Sequence, residues 1–395
     1  LVTLSTSFQL AVTAAMPNQA ELLSRLERLL GEGQVREAWQ QLDYARTNGL
    51  VESSAAAFLE QQIEQASKPE DRIGRVSIAT WPNGSSAAVS CTFDDRLTSH
   101  VDIVRPDLDR FGFPGTFFVI RAHASLPPLS ADYWSKWQAL GQSHHEIGNH
   151  TAEHPHGLPS LAAAEIHRQI EQCDEFIERE LGHPRANSFA YPHGVHGPQD
   201  GYLRRYVRRR FAAARSTQSQ PIGINAVSPE HIDALSSFTV NGGSSLEQVQ
   251  QQLDNAITGG GWAILTFHKV AQGEGAGEIE RSFWIACLNS LSARRDRLWI
   301  ATLQAVAAYI AARRSARIVC QTTAERMLSI SVQGDSRRAS QPLVALSASV
   351  RVPKSWRFAR HIDADGSATD YRVQAEAIRI PVWADGRPFH IRKLR

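Results

Sequence analysis

The hydrophobic pattern changes character twice along the chain. Between residues 17 and 66 apolar side chains recur at helical spacing. Leu22, Leu23, Leu26, Leu29 and Leu30 form one stripe; Asn18 and Glu21 are spaced as a capping box ahead of it, and Gly31 is placed to end it. Val35, Trp39, Leu42 and Ala45 predict a second helix stopping near Gly49, and Phe58, Leu59 and Ile63 a third. The spacing suggests helical hairpins, but little more than one copy is present. The stretch therefore reads as a helical extension, not a repeat array. Ser67-Lys68-Pro69 marks a boundary.

From about residue 73 short β-rich runs alternate with helical periods. Strands are predicted at 89–93, 116–120, 189–191, 263–267 and 298–301. Helices are predicted through Leu108, over 161–181 with Ile166, Ile170, Cys173 and Ile177 on one face, around Phe283, Trp284 and Leu288, and from a Thr302 cap to Arg313. Such alternation implies an α/β domain with a parallel sheet, open or closed into a barrel. After about residue 318 the helical period disappears. Segments 327–332, 343–352, 371–376 and 378–383 have strand character, and Asp365-Gly366 and Asp385-Gly386 supply turns, which predicts a small β-sandwich. The expected organisation is an N-terminal segment and helical extension (1–72), an α/β unit (73–318) and a C-terminal β-sandwich accessory domain (319–395).

Composition removes several function classes. With 42 Lys+Arg against 40 Asp+Glu in 395 residues, there is no electrostatic case for nucleic acid or an anionic membrane as partner. No apolar run approaches the ~20 residues of a membrane span. Cys91, Cys173, Cys287 and Cys320 form no CxxC pair and no disulfide framework. Residues 7–16 are mildly apolar, but no Lys or Arg precedes them, so a signal peptide is poorly supported, and Met16 is an equally good start. Compartment and oligomeric state stay open. Nine of the 15 histidines lie between His144 and His196, which locates the search for metal chemistry.

Four segments carry candidate chemistry. Thr92-Phe93-Asp94-Asp95 ends an apolar strand with two adjacent carboxylates, an arrangement that needs a shared cation or proton, or else caps the next helix. His150-Thr151-Ala152-Glu153-His154 places two imidazoles four residues apart, within reach of one ion; Pro155 confines them to a loop or single turn. Phe189-Ala190-Tyr191-Pro192-His193-Gly194 is a strand running into a turn that presents backbone N–H groups, or an ordinary turn. Ile264-Leu265-Thr266-Phe267-His268 is an apolar strand delivering one His, which alone would be structural.

Together, and in this order, these segments resemble the polysaccharide deacetylase family, carbohydrate esterases with a NodB-homology domain. That family's pattern runs T-F-D-D, H-[ST]-x-x-H, a Pro-aromatic-Gly turn and an apolar strand ending in His. Gly112 through Phe118 also fits its strand after the first helix. The resemblance covers about residues 73–318 and implies a distorted (β/α) barrel. It implies that Asp95, His150 and His154 bind one divalent metal, zinc by preference. It makes Asp94 the general base and His268 the general acid, with the backbone N–H of His193 helping to hold the oxyanion. The implied substrate is an N-acetylated polysaccharide or oligosaccharide. Relatives of this barrel also cleave cyclic amides and ureides or remove O-acetyl groups, and a degenerate barrel would bind glycan without turnover.

This chain departs from the family pattern in four places. Arg96 stands where Gly usually follows the second Asp, placed either to pair with Asp94 or to reach an anionic substrate. Ala190 stands near the usual Arg that supports the base. The aromatic after Pro192 is His193. Of the Asp-and-Trp pair that supports the acid, Trp262 is present and no Asp fits. His144, His145, His156 and His196 are not expected to be ligands. Arg204, Arg205, Arg208, Arg209 and Arg210 read as a solvated helix face. Trp81, Tyr133, Trp134 and Trp137 either stack on sugars or pack the core. Trp356 and Trp383 are the main aromatics of the C-terminal segment, which is expected to brace the barrel.

Overall fold

The structure, a computed structural model, describes residues 17–68, 73–122, 130–140, 142–217, 224–271, 279–324, 327–334 and 344–394. The apolar run 7–16, Met16 and Pro69 lie outside them. The chain divides into two compact units, Leu1–Gly84 with Tyr309–Arg395, and Ser85–Ala308. No helix among the described residues is long and apolar enough to cross a membrane.

The first unit opens with α1 (Pro17–Gly31), α2 (Val35–Thr47) and α3 (Ser53–Ala66). Their apolar stripes meet in a small core of Leu26, Leu29, Trp39, Leu42, Leu59 and Ile63. Asn18 is not the cap: α1 already runs from Pro17, a residue suited to the first helical position because its missing N–H has no partner to lose. After the helices the chain forms β1 (Val76–Ile78).

The second unit begins with β2 (Ala87–Phe93), buried on both faces, as its continuous apolar run requires in a parallel sheet. A π-helical turn, His100–Val104, leads into α4 (Arg105–Phe111), followed by β3 (Thr116–Val119), α5 (Ala131–Leu140) and β4 (Glu146–Asn149). Then come α6 (Ala163–Arg179), β5 (Ser188–Ala190), α7 (Tyr202–Arg210), β6 (Ala213–Arg215), β7 (Ile224–Asn225) and β8 (Phe238–Thr239). The unit continues through α8 (Leu246–Gly259), β9 (Trp262–Phe267), β10 (Val270–Ala271), β11 (Ile279–Glu280), α9 (Arg281–Ser292) and β12 (Leu298–Ile300) into α10 (Leu303–Ser315). Thr302 caps α10 as expected, its Oγ1 accepting from Ala305 N at 3.2 Å.

The main sheet runs β6-β5-β4-β3-β2-β9-β7, with β12 also on β2 and β8 also on β9. Every pairing in it is parallel except β7 with β9. The sheet curls, and a single parallel bridge between Arg215 and Leu235 joins its β6 edge to the segment leading into β8. This is the expected α/β fold, a distorted (β/α) barrel. Phe93, at the end of β2, stacks on Phe117 and Phe267 with ring centroids 4.9 and 5.5 Å apart, and meets the edge of Trp284 at 5.6 Å. Emptying such a position to alanine costs about 3–5 kcal/mol. Parallel pairing sends the carboxyl ends of β2, β4, β5, β6 and β9 to the same end of the sheet, where functional groups collect in such folds.

The C-terminal part of the first unit contains β13 (Arg317–Ala324), β14 (Met327–Gln333), β15 (Ala345–Arg351), β16 (Phe358–Ile362), β17 (Ala368–Arg372), β18 (Ala377–Trp383) and β19 (Asp385–Lys393). They make two antiparallel sheets, β1-β15-β18 and β13-β14-β19-β16-β17. Along β14 and β15 buried and accessible residues alternate, the period-2 pattern that marked them in the sequence. The strand expected at 371–376 ends at Arg372 instead, because Ala375 and Glu376 take φ of 47° and 61° and turn the chain into β18. Asp385-Gly386 opens β19 rather than separating strands, at a register shift opposite Ser331–Gln333.

Candidate metal and catalytic site

Asp94 follows β2 directly, and its N–H still donates to Phe267 O of β9 at 3.1 Å. The ladder therefore carries Asp94 into the barrel mouth. Asp95 and Arg96 then take left-handed φ of 76° and 53°, which ends the strand abruptly. Thr151, His154 and His193 are also left-handed, so four of the eight non-glycine residues with positive φ among the described residues lie in the Asp94-Asp95, His150–His154 and Pro192–Gly194 motifs, and a fifth, Arg96, directly follows the first. Backbone strain of this kind persists only where surrounding contacts over-determine it, and it gathers at functional sites.

The His150–His154 segment is a loop held from several sides. Asn149 Oδ1 accepts from Thr151 N (2.8 Å) while its amide donates to Ile170 O and Asp174 Oδ1 (both 2.9 Å). Thr151 Oγ1 accepts from His154 N (3.1 Å), and Gln169 Oε1 of α6 accepts from Glu153 N (3.0 Å). These bonds replace the helix that the four-residue spacing would otherwise need.

The structure brings Asp94, Asp95, His150, His154 and His268 together. One ligand atom each from Asp95, His150 and His154 lies within 4.8 Å of the others. Asp95 Oδ1 is 3.6 Å from His150 Nε2 and 3.7 Å from His154 Nε2. His268 Nε2 stands 3.9 Å from both Asp94 Oδ2 and Asp95 Oδ2, and its side chain is exposed at the mouth. His193 is neighbour to this group: its ring lies 4.3 Å from that of His154 and stacks on His156 at 4.0 Å. Gly194 permits the turn, since a Cβ there would lie 1.9 Å from Thr217 Oγ1 and 2.8 Å from Thr217 N.

The protonation states suit a cation. His150 Nδ1 lies 2.8 Å from Ala190 O, a carbonyl that only accepts, so Nδ1 carries the proton and Nε2 offers its lone pair to the Asp95 side. Burial lowers the His150 pKa to about 4 despite the opposing pull of Asp94 and Asp95, so the ring is neutral at pH 7. A second group, Asp109, His144 and His145, has similar spacing. There Gly115 N–H donates to His145 Nδ1 at 3.0 Å, so the proton sits on Nε2, which donates to Asp109 at 3.2 Å. A neutral imidazole in that tautomer has no lone pair on Nε2, and the second group is poorly built for a metal.

Asp94 is buried and ion-paired through Oδ1 to Arg215, itself fully buried at the end of β6. Burial alone would raise the Asp94 pKa, but the charges of Arg215, His150 and His268, and the Arg215 hydrogen bond, outweigh it and hold it at about 2. Arg215 was not singled out from the sequence. Its signal was present: Phe211-Ala212-Ala213-Ala214-Arg215 is another short apolar run ending in a charged residue. His100 was also missed. It is buried and its Nε2 donates to the His268 carbonyl at 2.9 Å, holding the backbone that carries the His268 ring.

Arg96 neither pairs with Asp94 nor reaches into the mouth. The residue is 1% exposed, and its guanidinium donates to Arg121 O at 3.0 Å and lies 4.8 Å from the Phe176 ring centroid and 5.4 Å from that of Trp134. The two left-handed residues turn it back under α5 and α6, where aromatic faces accept the cation. The arginine-rich α7 is also less solvated than expected. Arg204 and Arg208 bind Asp233 at 2.9 and 3.2 Å, and Arg210 pairs with Asp174. Trp81, Tyr133, Trp137 and Trp356 are buried in packing, and Trp262 donates to Ser90 Oγ inside the sheet.

The sequence model of the polysaccharide deacetylase family matches residues 82–208, so that part of the chain is similar to this family. A gellan lyase from a Bacillus species is 25% identical over 305 residues, covering 72% of this chain and 12% of that protein; the chain spans only that small share of the relative's length. Among solved structures, a family 4 acetyl xylan esterase from Clostridium thermocellum, in complex with a cobalt ion, shares 17% identity over 55% of this chain and 89% of its own, with a TM-score of 0.38. A peptidoglycan deacetylase from Bacillus subtilis shares 18% identity over 57% and 93%, with a TM-score of 0.35.

Proposed function

We propose that the chain is a metal-dependent hydrolase that removes acetyl groups from an N-acetylated polysaccharide or oligosaccharide. The observation carrying this reading is the meeting of an Arg215-clamped Asp94 with Asp95, His150, His154 and His268 at one end of a parallel sheet. Asp95, His150 and His154 would hold one divalent ion, zinc by preference for two imidazoles and a carboxylate. When bound, such an ion polarises an acyl carbonyl and lowers the pKa of water.

The protein groups divide the remaining work. Arg215 occupies Asp94 Oδ1 and keeps the carboxylate ionised, leaving Oδ2 turned toward His150 and His268 as the proton acceptor for attacking water. His268 is accessible and stands across from Asp94, placed to protonate the departing amine. The His193 N–H, on the left-handed turn after Pro192, would support the oxyanion.

Acetate release from N-acetylated chito-oligosaccharides by zinc-loaded protein tests the reading. Activity is expected to vanish with chelator, return with zinc, and fall by at least ~100-fold in Asp94→Asn. Release that survives both chelator and Asp94→Asn overturns it. Acetylated xylan and small cyclic imides, assayed in parallel, separate amide from ester and imide substrates.

A further inference from the structure

The unit formed by Leu1–Gly84 and Tyr309–Arg395 contains a cavity of about 450 Å³. Its walls come from α1, α2, β1, the end of α10 and the start of β13. That volume falls within the ~300–1,000 Å³ of small-molecule sites, but the walls are more polar than such sites usually are.

The charges are unbalanced. Arg25, Arg313 and Arg317 line the cavity against a single carboxylate, Asp43, among the described lining residues. Asp43 is already committed elsewhere: Arg75 donates to both its oxygens at 2.7 and 2.6 Å, and Arg46 adds a bond at 3.2 Å. Arg75 is held for this by the Trp39 ring, 3.6 Å beneath its guanidinium. Arg313 is buried and donates to Asn48 Oδ1 and to the Thr80 carbonyl. Burial lowers its pKa to about 10. Arg25 and Arg317 are exposed, and neither has an acidic partner among the described residues. The rest of the lining is rich in amides and hydroxyls, such as Gln40, Gln41 and Ser77, which suit sugar hydroxyls, whereas Tyr44 is the one aromatic described there.

We infer that this cavity binds a saccharide unit carrying an anionic group, with Arg25 and Arg317 engaging the anion over a floor of Arg313. A carboxylate and a phosphate are recognised by guanidinium through the same paired N–H geometry. The inference does not depend on the reaction proposed above, because none of these residues belongs to the Ser85–Ala308 unit.

Calorimetric titration of the full chain with glucuronate, glucose 6-phosphate, inorganic phosphate and N-acetylglucosamine tests it. Glucuronate or glucose 6-phosphate is expected to bind at least ~10-fold more tightly than the neutral sugar, and more weakly as salt rises. The Arg25→Ala/Arg317→Ala variant should lose at least ~10-fold of that affinity, whereas Asp94→Asn should retain it. Which anionic sugar binds more tightly tells a carboxylate from a phosphate ligand. The inference is overturned if neither anionic sugar binds, if the neutral sugar binds equally well, or if the double variant is unaffected. Inorganic phosphate binding as tightly as both sugars would show an adventitious ion only, and would also overturn it.

Discussion

Ala190 and Arg215 are partners on one rung of the parallel ladder between β5 and β6. Partners on one rung project to the same face of a sheet, so the two side chains are neighbours. The arginine that the family resemblance places near Ala190 thus has a counterpart one strand over, at the same height, ion-paired to Asp94. The guanidinium reaches the same carboxylate from the adjacent strand.

This neighbour relationship predicts that the arginine can be moved back. Arg215→Ala should lower kcat/KM by at least ~100-fold, since removing one partner of a buried pair leaves an uncompensated charge worth about 3–5 kcal/mol. Ala190→Arg combined with Arg215→Ala should recover at least ~10-fold of that loss, in kcat rather than KM. Acetate-release kinetics on both variants, with zinc content measured alongside, checks it. A double variant that binds zinc normally but is no better than Arg215→Ala would show that Arg215 acts only where it stands.

The sequence revealed groups that end apolar strands where a recognisable pair accompanied them. Asp94 came with Asp95, and His150 with His154. Arg215 ends the run Phe211–Ala214 in the same way, but it follows five arginines on α7 and has no partner nearby in the chain; Asp94 lies 121 residues away. His100 was hidden because its function is a backbone contact 168 residues distant. The direction of Arg96 depended on two consecutive left-handed residues, which residue identity does not announce. In the C-terminal sheets β14, β15 and β18 carried a clean period of two. The residues of β13, β16 and β19 did not stand out: β19 contains Gly386 and Pro388, residues that ordinarily interrupt strands.

A second prediction separates the two histidine groups. The tautomer imposed by Ala190 O frees His150 Nε2 for a metal, whereas the one imposed by Gly115 N–H closes His145 Nε2. Zinc titration of chelator-stripped protein should therefore give one tight site per chain. His150→Ala should abolish it, and His144→Ala should leave stoichiometry and affinity unchanged. Two tight sites in the starting protein, with one lost in His144→Ala, would refute the tautomer argument.

A third prediction concerns acid stability of the metal-free protein. His100 and His150 are both lowered to about 4 in the folded state, chiefly by burial, against an ordinary value near 6.5. Between about pH 6.5 and 4 the unfolded chain therefore binds protons that the folded chain does not. Stability must fall as pH drops through that window, by at most about 3 kcal/mol for each ring. Asp94 has the opposite placement on the pH axis: its folded pKa of about 2 lies below the ordinary carboxylate value, so its stabilising contribution is complete above about pH 4 and is lost only as pH falls toward 2. Urea unfolding of metal-free protein at pH 7, 5.5 and 4.5 should show the first decline without the second. Replacing His100 by Phe, a ring of similar size that cannot be protonated, should flatten the slope between pH 6.5 and 4 and leave the loss below pH 4 in place. An unchanged slope in that variant would mean that His100 is protonated in the folded protein after all.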